Sequence, residues 1–193
     1  MDKIILASSS PRRKTILKQL HIPFRVIIPR VREDAVTLNA ATELARALAG
    51  QKAAAVAARL RPGVCRWILG VDTLVTLDGK IFGKPGDRQE AATMLAKLSG
   101  RVHQVISGIA LLPNPGTGIQ SRVVSSDVKF KHMTAKEIDF YLDTGEWQGA
   151  AGGYRIQERA ALFIESIKGS YSNIVGLPIS VFYGMLRENK YNF

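Results

Sequence analysis

Residues 4–17 read Ile4-Ile5-Leu6-Ala7-Ser8-Ser9-Ser10-Pro11-Arg12-Arg13-Lys14-Thr15-Ile16-Leu17, or IILASSSPRRKTIL. The apolar run at its start is short enough for a buried strand, Ile4–Ala7, and Pro11 begins a helical pattern that runs to about Leu20. Ser9 or Ser10 stands where an N-cap belongs, with Pro11 at the first helical position. A strand that feeds directly into a capped helix predicts an α/β fold and leaves a helix N-terminus at the strand's carboxyl end. Free N–H groups and a partial positive charge gather there, which suits phosphate. Arg12 and Arg13 add bidentate donors at the same spot. The plainer alternative is a capped surface helix whose arginines are solvated.

Outward from that stretch, Phe24–Ile28 is a second strand and Thr42–Arg59, rich in Ala and Leu, a long helix. Trp67–Leu77 is a strand, and LDGKIFG turns it back as a short hairpin. Gln89–Leu98 is a helix stopped by Ser99-Gly100. Val102–Leu112 and Val123–His132 alternate as strands around the loop PNPGTG. Thr134–Leu142 is a helix with Thr134 as N-cap and Glu137 three residues on. A glycine-rich segment, Gly145–Gly153, leads into Tyr154–Ile167, and a last helix follows Pro178. Helices among parallel and antiparallel strands predict one mixed sheet in a single domain, residues 1–193.

The 193 residues suffice for one sizeable core. No apolar stretch approaches the roughly 20 residues of a membrane span, and the apolar run before the serines is too short for a signal-peptide core, so a cytoplasmic protein is expected. The single cysteine, Cys65, excludes an internal disulfide and a thiolate metal cage, and the three histidines lack zinc-ligand spacing. The formal charge of +11 is diffuse. It suits polyanionic partners, nucleic acid or phosphorylated small molecules, or it is solubilising charge alone.

Three positions stand out chemically. Asp72 puts a carboxylate inside the apolar run WILGVDTLVTL, a costly placement unless it is paired, liganded or at work. Lys52 interrupts the apolar series Leu44, Leu48, Lys52, Val56 on the helix face that meets the core, and either works there or snorkels to the edge. Glu33-Asp34 is either a solvated pair or a source of hard-cation ligands. Lys84 follows the hairpin.

Five segments, LASSSPRRKTIL, GVDTLVTLDGKIFGKP, LSGRVHQV, YLDTGEWQGAAGGYRIQ and GSYSNIVGLPI, resemble in order and spacing the Maf family of nucleotide pyrophosphatases, over Ile4 to about Leu186. The resemblance implies a mixed, bent central sheet with flanking helices in two lobes around a cleft, like that of inosine triphosphate pyrophosphatases (the Maf/Ham1 type), and a homodimer. It implies hydrolysis of dTTP and UTP, and of modified pyrimidine nucleotides, between the α and β phosphates with Mg²⁺ or Mn²⁺. The family's phosphate-binding residues correspond to Ser8, Arg12, Arg13, Lys52 and Lys84. Its catalytic set corresponds to Asp72, Glu33, Lys52 and Lys84, its metal ligands to Glu33 and Asp72, and its base-discriminating residues to Arg12, Thr73 and Gln157. A side-chain amide such as that of Gln157 can pair with the N3–H and carbonyl of uracil or thymine.

Arg155 and Glu158 stand where the family usually has glycine, and Trp147 where it often has proline. An extended segment would put Arg155 on one face with Gln157, crowding or extending a base pocket. That keeps 7-methylguanosine triphosphate open as an alternative substrate. A non-enzymatic nucleic-acid-binding or septation-regulating protein is the other alternative, which salt-steep DNA binding without turnover would support; no nucleic-acid module appears in the sequence.

Overall fold

The four apolar residues Ile4–Ala7 (β1) are buried along their whole length, and the computed structural model, which describes residues 1–32, 40–61, 67–113 and 118–193, places them inside a seven-stranded sheet. The other strands are Phe24–Val26 (β2), Trp67–Leu77 (β3), Lys80–Phe82 (β4), Val102–Pro113 (β5), Gln120–Phe130 (β6) and Ile164–Lys168 (β7). Hydrogen-bonded order is β2-β1-β3-β5-β6-β7, with β4 on β3. β1 runs parallel to both β2 and β3, whereas β3–β4 and β6–β7 are antiparallel, so the sheet is mixed as expected. The helices are Pro11–Gln19 (α1), Ala41–Ala57 (α2), Arg88–Leu98 (α3), Ala135–Asp143 (α4), Tyr171–Val175 (α5) and Ile179–Glu188 (α6).

The chain divides into two compact units. One comprises Met1–Asp72, Ser107–Val124 and Gly176–Phe193, the other Thr73–Ile106 and Ser125–Val175.

In the first unit α2 lies on the sheet through Ala49, Ala53 and Val56, which form a core cluster with Ile5, Ala7, Ile68 and Ala110. The approach is close enough to require glycine beneath it. A Cβ on Gly70 of β3 would fall 2.2 Å from the Ala49 carbonyl oxygen, and one on Gly108 of β5 2.0 Å from that of Ala45. Side chains there would lift the helix off the strands.

The second unit holds the local signals that were clearest in sequence. Asp78 and Gly79 both adopt positive φ, 50° and 74°, as a two-residue turn matched to strand twist requires. Thr134 and Glu137 close a reciprocal capping box at the start of α4. His103, Phe130 and Tyr154 pack edge to face, and His103 Nε2 lies 2.7 Å from the Tyr154 hydroxyl. Burial lowers the His103 pKa to about 4, so the ring is neutral at physiological pH.

Two expectations are corrected and one condition is settled. β2 ends at Val26 rather than Ile28, with Ile28 exposed ahead of Pro29. Ser10 is the N-cap of α1 by position, but its side chain makes no capping bond. The span Tyr154–Ile167 is not extended throughout: turns and a 3-10 helix, Arg159–Phe163, precede β7. Side chains hold its backbone where a ladder would have: the Arg155 N–H donates to the Tyr141 hydroxyl and the Arg159 N–H to the Glu146 carboxylate. Arg155 and Gln157 therefore do not share a strand face.

Candidate active site

Register sets out the site in the first unit. Ala7, the last residue of β1, pairs with Gly70 of β3, so Ser8 follows the carboxyl end of β1 while Asp72 lies within β3, two residues beyond the last one paired with β1. Ligands of open α/β sheets bind at such ends. The N-terminus of α1 opens three residues after Ser8.

Asp72 is buried in β3. The close seating of α2 over Gly70 brings Lys52 to it, and the Lys52 Nζ–Asp72 Oδ1 distance is 2.5 Å. The two side chains are 7% and 8% exposed, so this pair sits out of water. Lys52 thus neither snorkels nor disturbs the core: the lysine that interrupts the apolar series on α2 and the carboxylate that interrupts the apolar strand answer each other. Asp72 Oδ2, also buried, has no hydrogen-bond partner among the described residues. A native buried oxygen in that condition calls for a ligand or a chemical role.

Ser8 is also buried, and its hydroxyl oxygen accepts from Arg13 Nη1 at 2.8 Å and from the Ser10 backbone N–H at 3.2 Å. Arg13 is equally enclosed, and its Nε donates to the Gly176 carbonyl at 2.8 Å. Arg12, one residue earlier on α1, is half-buried.

Of the remaining expected site residues, Thr73, Lys84 and Gln157 belong to the second unit. Lys84 and Gln157 are exposed, and Thr73 is half-buried on β3. Glu33 and its neighbour Asp34 lie outside the described residues. No group of three or more His, Cys, Asp or Glu side chains able to hold a metal occurs among the described residues.

The donor set still fits a divalent cation of the magnesium kind. Such ions are held by one or two carboxylates together with substrate phosphates and waters, rather than by a protein cage. Asp72 Oδ2 is a hard oxygen donor with open lone pairs.

Sequence reasoning left one contributor unassigned. Gly176, inside GSYSNIVGLPI, anchors Arg13 through a carbonyl at φ 119°, a backbone state that favours glycine. Asn173, in the same motif, has a structural place within the second unit, where its Nδ2 donates to the Val105 carbonyl at 2.9 Å and to Ser126 Oγ at 3.0 Å. The polar density of that motif was the available signal.

A buried carboxylate–ammonium pair on β3 and α2, just past the carboxyl end of the parallel strand β1 and its turn into α1, makes this an α/β protein whose site can receive an oxyanion. The chain belongs to the Maf-like protein family, whose model matches residues 3–189. It is 46% identical over 193 residues to the dTTP/UTP pyrophosphatase of Symbiobacterium thermophilum, an alignment covering 99% of this chain and 96% of the relative. It is 45% identical over 186 residues to the dTTP/UTP pyrophosphatase of Carboxydothermus hydrogenoformans, covering 96% and 98%. A nucleoside triphosphate pyrophosphatase of Xylella fastidiosa shares 44% over 180 residues, covering 91% and 93%. Among solved structures, the Staphylococcus aureus Ham1 protein superposes with a TM-score of 0.52 at 14% identity, over 97% of this chain and 99% of that one. That likeness supports the fold alone.

Proposed function

We propose that the chain is a nucleoside triphosphate pyrophosphatase with dTTP and UTP as substrates, the activity that the names of its Symbiobacterium and Carboxydothermus relatives carry. The observation that carries the reading is the buried Lys52–Asp72 pair with Asp72 Oδ2 left open. Water adds to the α phosphorus, the bond from that phosphorus to the bridging oxygen breaks, and monophosphate and pyrophosphate leave. Lys52 fixes the Asp72 carboxylate through Oδ1, so Oδ2 serves the reaction, as acceptor of the water's proton or as a cation ligand. Arg12, Lys84 and the N-terminus of α1 offset phosphate charge. Glu33 and Asp72 would hold a divalent cation, Mg²⁺ or Mn²⁺, which neutralises the triphosphate and increases the electrophilicity of the α phosphorus. Arg12, Thr73 and Gln157 select the base, with the Gln157 amide pairing to the pyrimidine edge.

The enzyme would act as a single domain in the cytoplasm, removing surplus or modified pyrimidine nucleotides. No helix among the described residues is long and apolar enough to cross a membrane.

The test is pyrophosphate release from dTTP, UTP, CTP, GTP, ATP and 7-methyl-GTP, each with Mg²⁺, with Mn²⁺ and with chelator. Turnover led by dTTP and UTP and abolished by chelation is expected, with Asp72→Asn folded and inactive. Turnover led by 7-methyl-GTP would overturn the substrate assignment. No turnover of any triphosphate, together with salt-steep DNA binding, would overturn the enzymatic reading itself.

A further inference from the structure

Ser8 has a hydrogen-bond arrangement that constrains what it can do. A serine hydroxyl offers one hydrogen and two acceptor lone pairs. Both lone pairs are engaged, one by Arg13 Nη1 at 2.8 Å and one by the Ser10 N–H at 3.2 Å. No hydrogen bond donated by Ser8 occurs among the described residues, although the residue is only 4% exposed. A buried hydroxyl whose oxygen is saturated has only its hydrogen left to give.

Arg13 creates that condition. Its guanidinium is planar, and the Nε bond to the Gly176 carbonyl fixes the plane from one side while Nη1 addresses Ser8 from the other. The bond that Ser8 accepts is charge-assisted, and accepting it polarises the hydroxyl into a stronger donor. The same saturation leaves Ser8 without a lone pair to attack phosphorus or to take a proton.

We infer that Arg13 is a positioning residue: bracketed by Gly176, it holds Ser8 as an obligate hydrogen-bond donor to a phosphate oxygen, and its contribution to substrate binding passes through that hydroxyl. This rests on the proposed triphosphate chemistry and changes how its phosphate subsite is divided, because Arg13, expected from sequence to bind phosphate itself, acts at one remove.

A double-mutant cycle separates the two arrangements. Ser8→Ala, Arg13→Met and the double variant are compared by kcat and KM for dTTP and by calorimetric affinity for inorganic pyrophosphate, with thermal unfolding alongside. Loss of one hydrogen bond to a charged group weakens binding about 10- to 100-fold, so Ser8→Ala should lose that much in pyrophosphate affinity and in kcat/KM. Arg13→Met should lose a similar factor, but in the Ser8→Ala background it should cost less than about twofold more. Losses that multiply in the double variant would make Arg13 an independent phosphate ligand and overturn the inference. Should Arg13→Met unfold, Arg13→Lys takes its place. It keeps the charge but cannot bridge Gly176 and Ser8. Near-full pyrophosphate affinity in Arg13→Lys would equally overturn the inference, and a loss matching that of Ser8→Ala supports it. Wild-type protein that binds no pyrophosphate and turns over no triphosphate would bring down the proposed function and this inference together; wild-type activity with a multiplicative cycle would bring down this inference alone.

Discussion

Replacing Lys52 by methionine isolates one interaction in the site. Methionine keeps most of the volume of the lysine stem on α2, so packing against the sheet changes little and the ammonium is what disappears. In its absence the Asp72 carboxylate, 8% exposed, has neither its Oδ1 partner nor any partner at Oδ2 among the described residues. At 2.5 Å and an effective dielectric constant of about 20, the gross attraction lost is about 7 kcal/mol. Desolvation of the ammonium, no longer required, offsets part of that, and breaking a buried pair from one side typically costs about 3–5 kcal/mol net. For a domain of this size the melting temperature should fall by about 6–20 °C. Asp72→Asn should cost about half as much, because the amide carbonyl still accepts from Nζ. The double variant Lys52→Met/Asp72→Leu should recover most of the loss, since an apolar pair of similar volume leaves no buried charge behind. Scanning calorimetry of the four proteins reads these values directly. A Lys52→Met protein that melts within about 2 °C of wild type, or a double variant less stable than Lys52→Met, would refute the account of the pair as a mutually dependent buried unit.

Other consequences can be checked the same way. His103 is neutral when folded, with its pKa held near 4 against about 6.5 in the unfolded chain, so the unfolded state binds more protons between those values. Its contribution to stability is therefore complete above about pH 6.5 and is lost as pH falls towards 4, by about 3 kcal/mol; urea midpoints from pH 4 to 7 should fall less steeply in His103→Gln than in wild type. Gly70→Ala places a methyl group 2.2 Å from the Ala49 carbonyl oxygen, so α2 must retreat. A loss of about 1–3 kcal/mol or more is expected by thermal unfolding, with turnover lost as Lys52 withdraws from Asp72. Unchanged stability and activity would mean that α2 is not seated as closely as Gly70 implies. The Arg155 guanidinium donates to the Gln148 carbonyl at 2.9 Å and faces the Glu158 carboxylate at 3.6 Å, so it braces its own segment. Arg155→Gly should cost about 1–2 kcal/mol of stability and leave the ratio of kcat/KM between dTTP and GTP within about threefold of wild type; a shift above tenfold would put Arg155 in the base pocket.

What was legible in the sequence depended on how locally each feature is determined. β1 and β3 occupy the residues expected of them, and the Asp78-Gly79 turn and the Thr134–Glu137 box formed as read, because each is specified within a few neighbouring residues. Asp72 and Lys52 were visible as two separate violations of apolar pattern. That they are one interaction was not visible, since the pairing depends on α2 approaching β3 over a glycine 18 residues from Lys52 in sequence. The same limit explains Arg13: two adjacent arginines before a helix look alike in sequence, and only the carbonyl of Gly176, 163 positions away, separates a buried bracket from a half-buried neighbour. It applies to the segment around Arg155 and Gln157 too, whose conformation the sequence left open: the Tyr141 hydroxyl and the Glu146 carboxylate take the backbone N–H groups that a ladder would use. Pattern therefore locates a charge that needs a partner, but the partner is set by tertiary approach. In this chain the approach is controlled at residues with no side chain of their own, Gly70, Gly108 and Gly176, so that the chemistry of Lys52, Asp72 and Ser8 is positioned by residues that carry none.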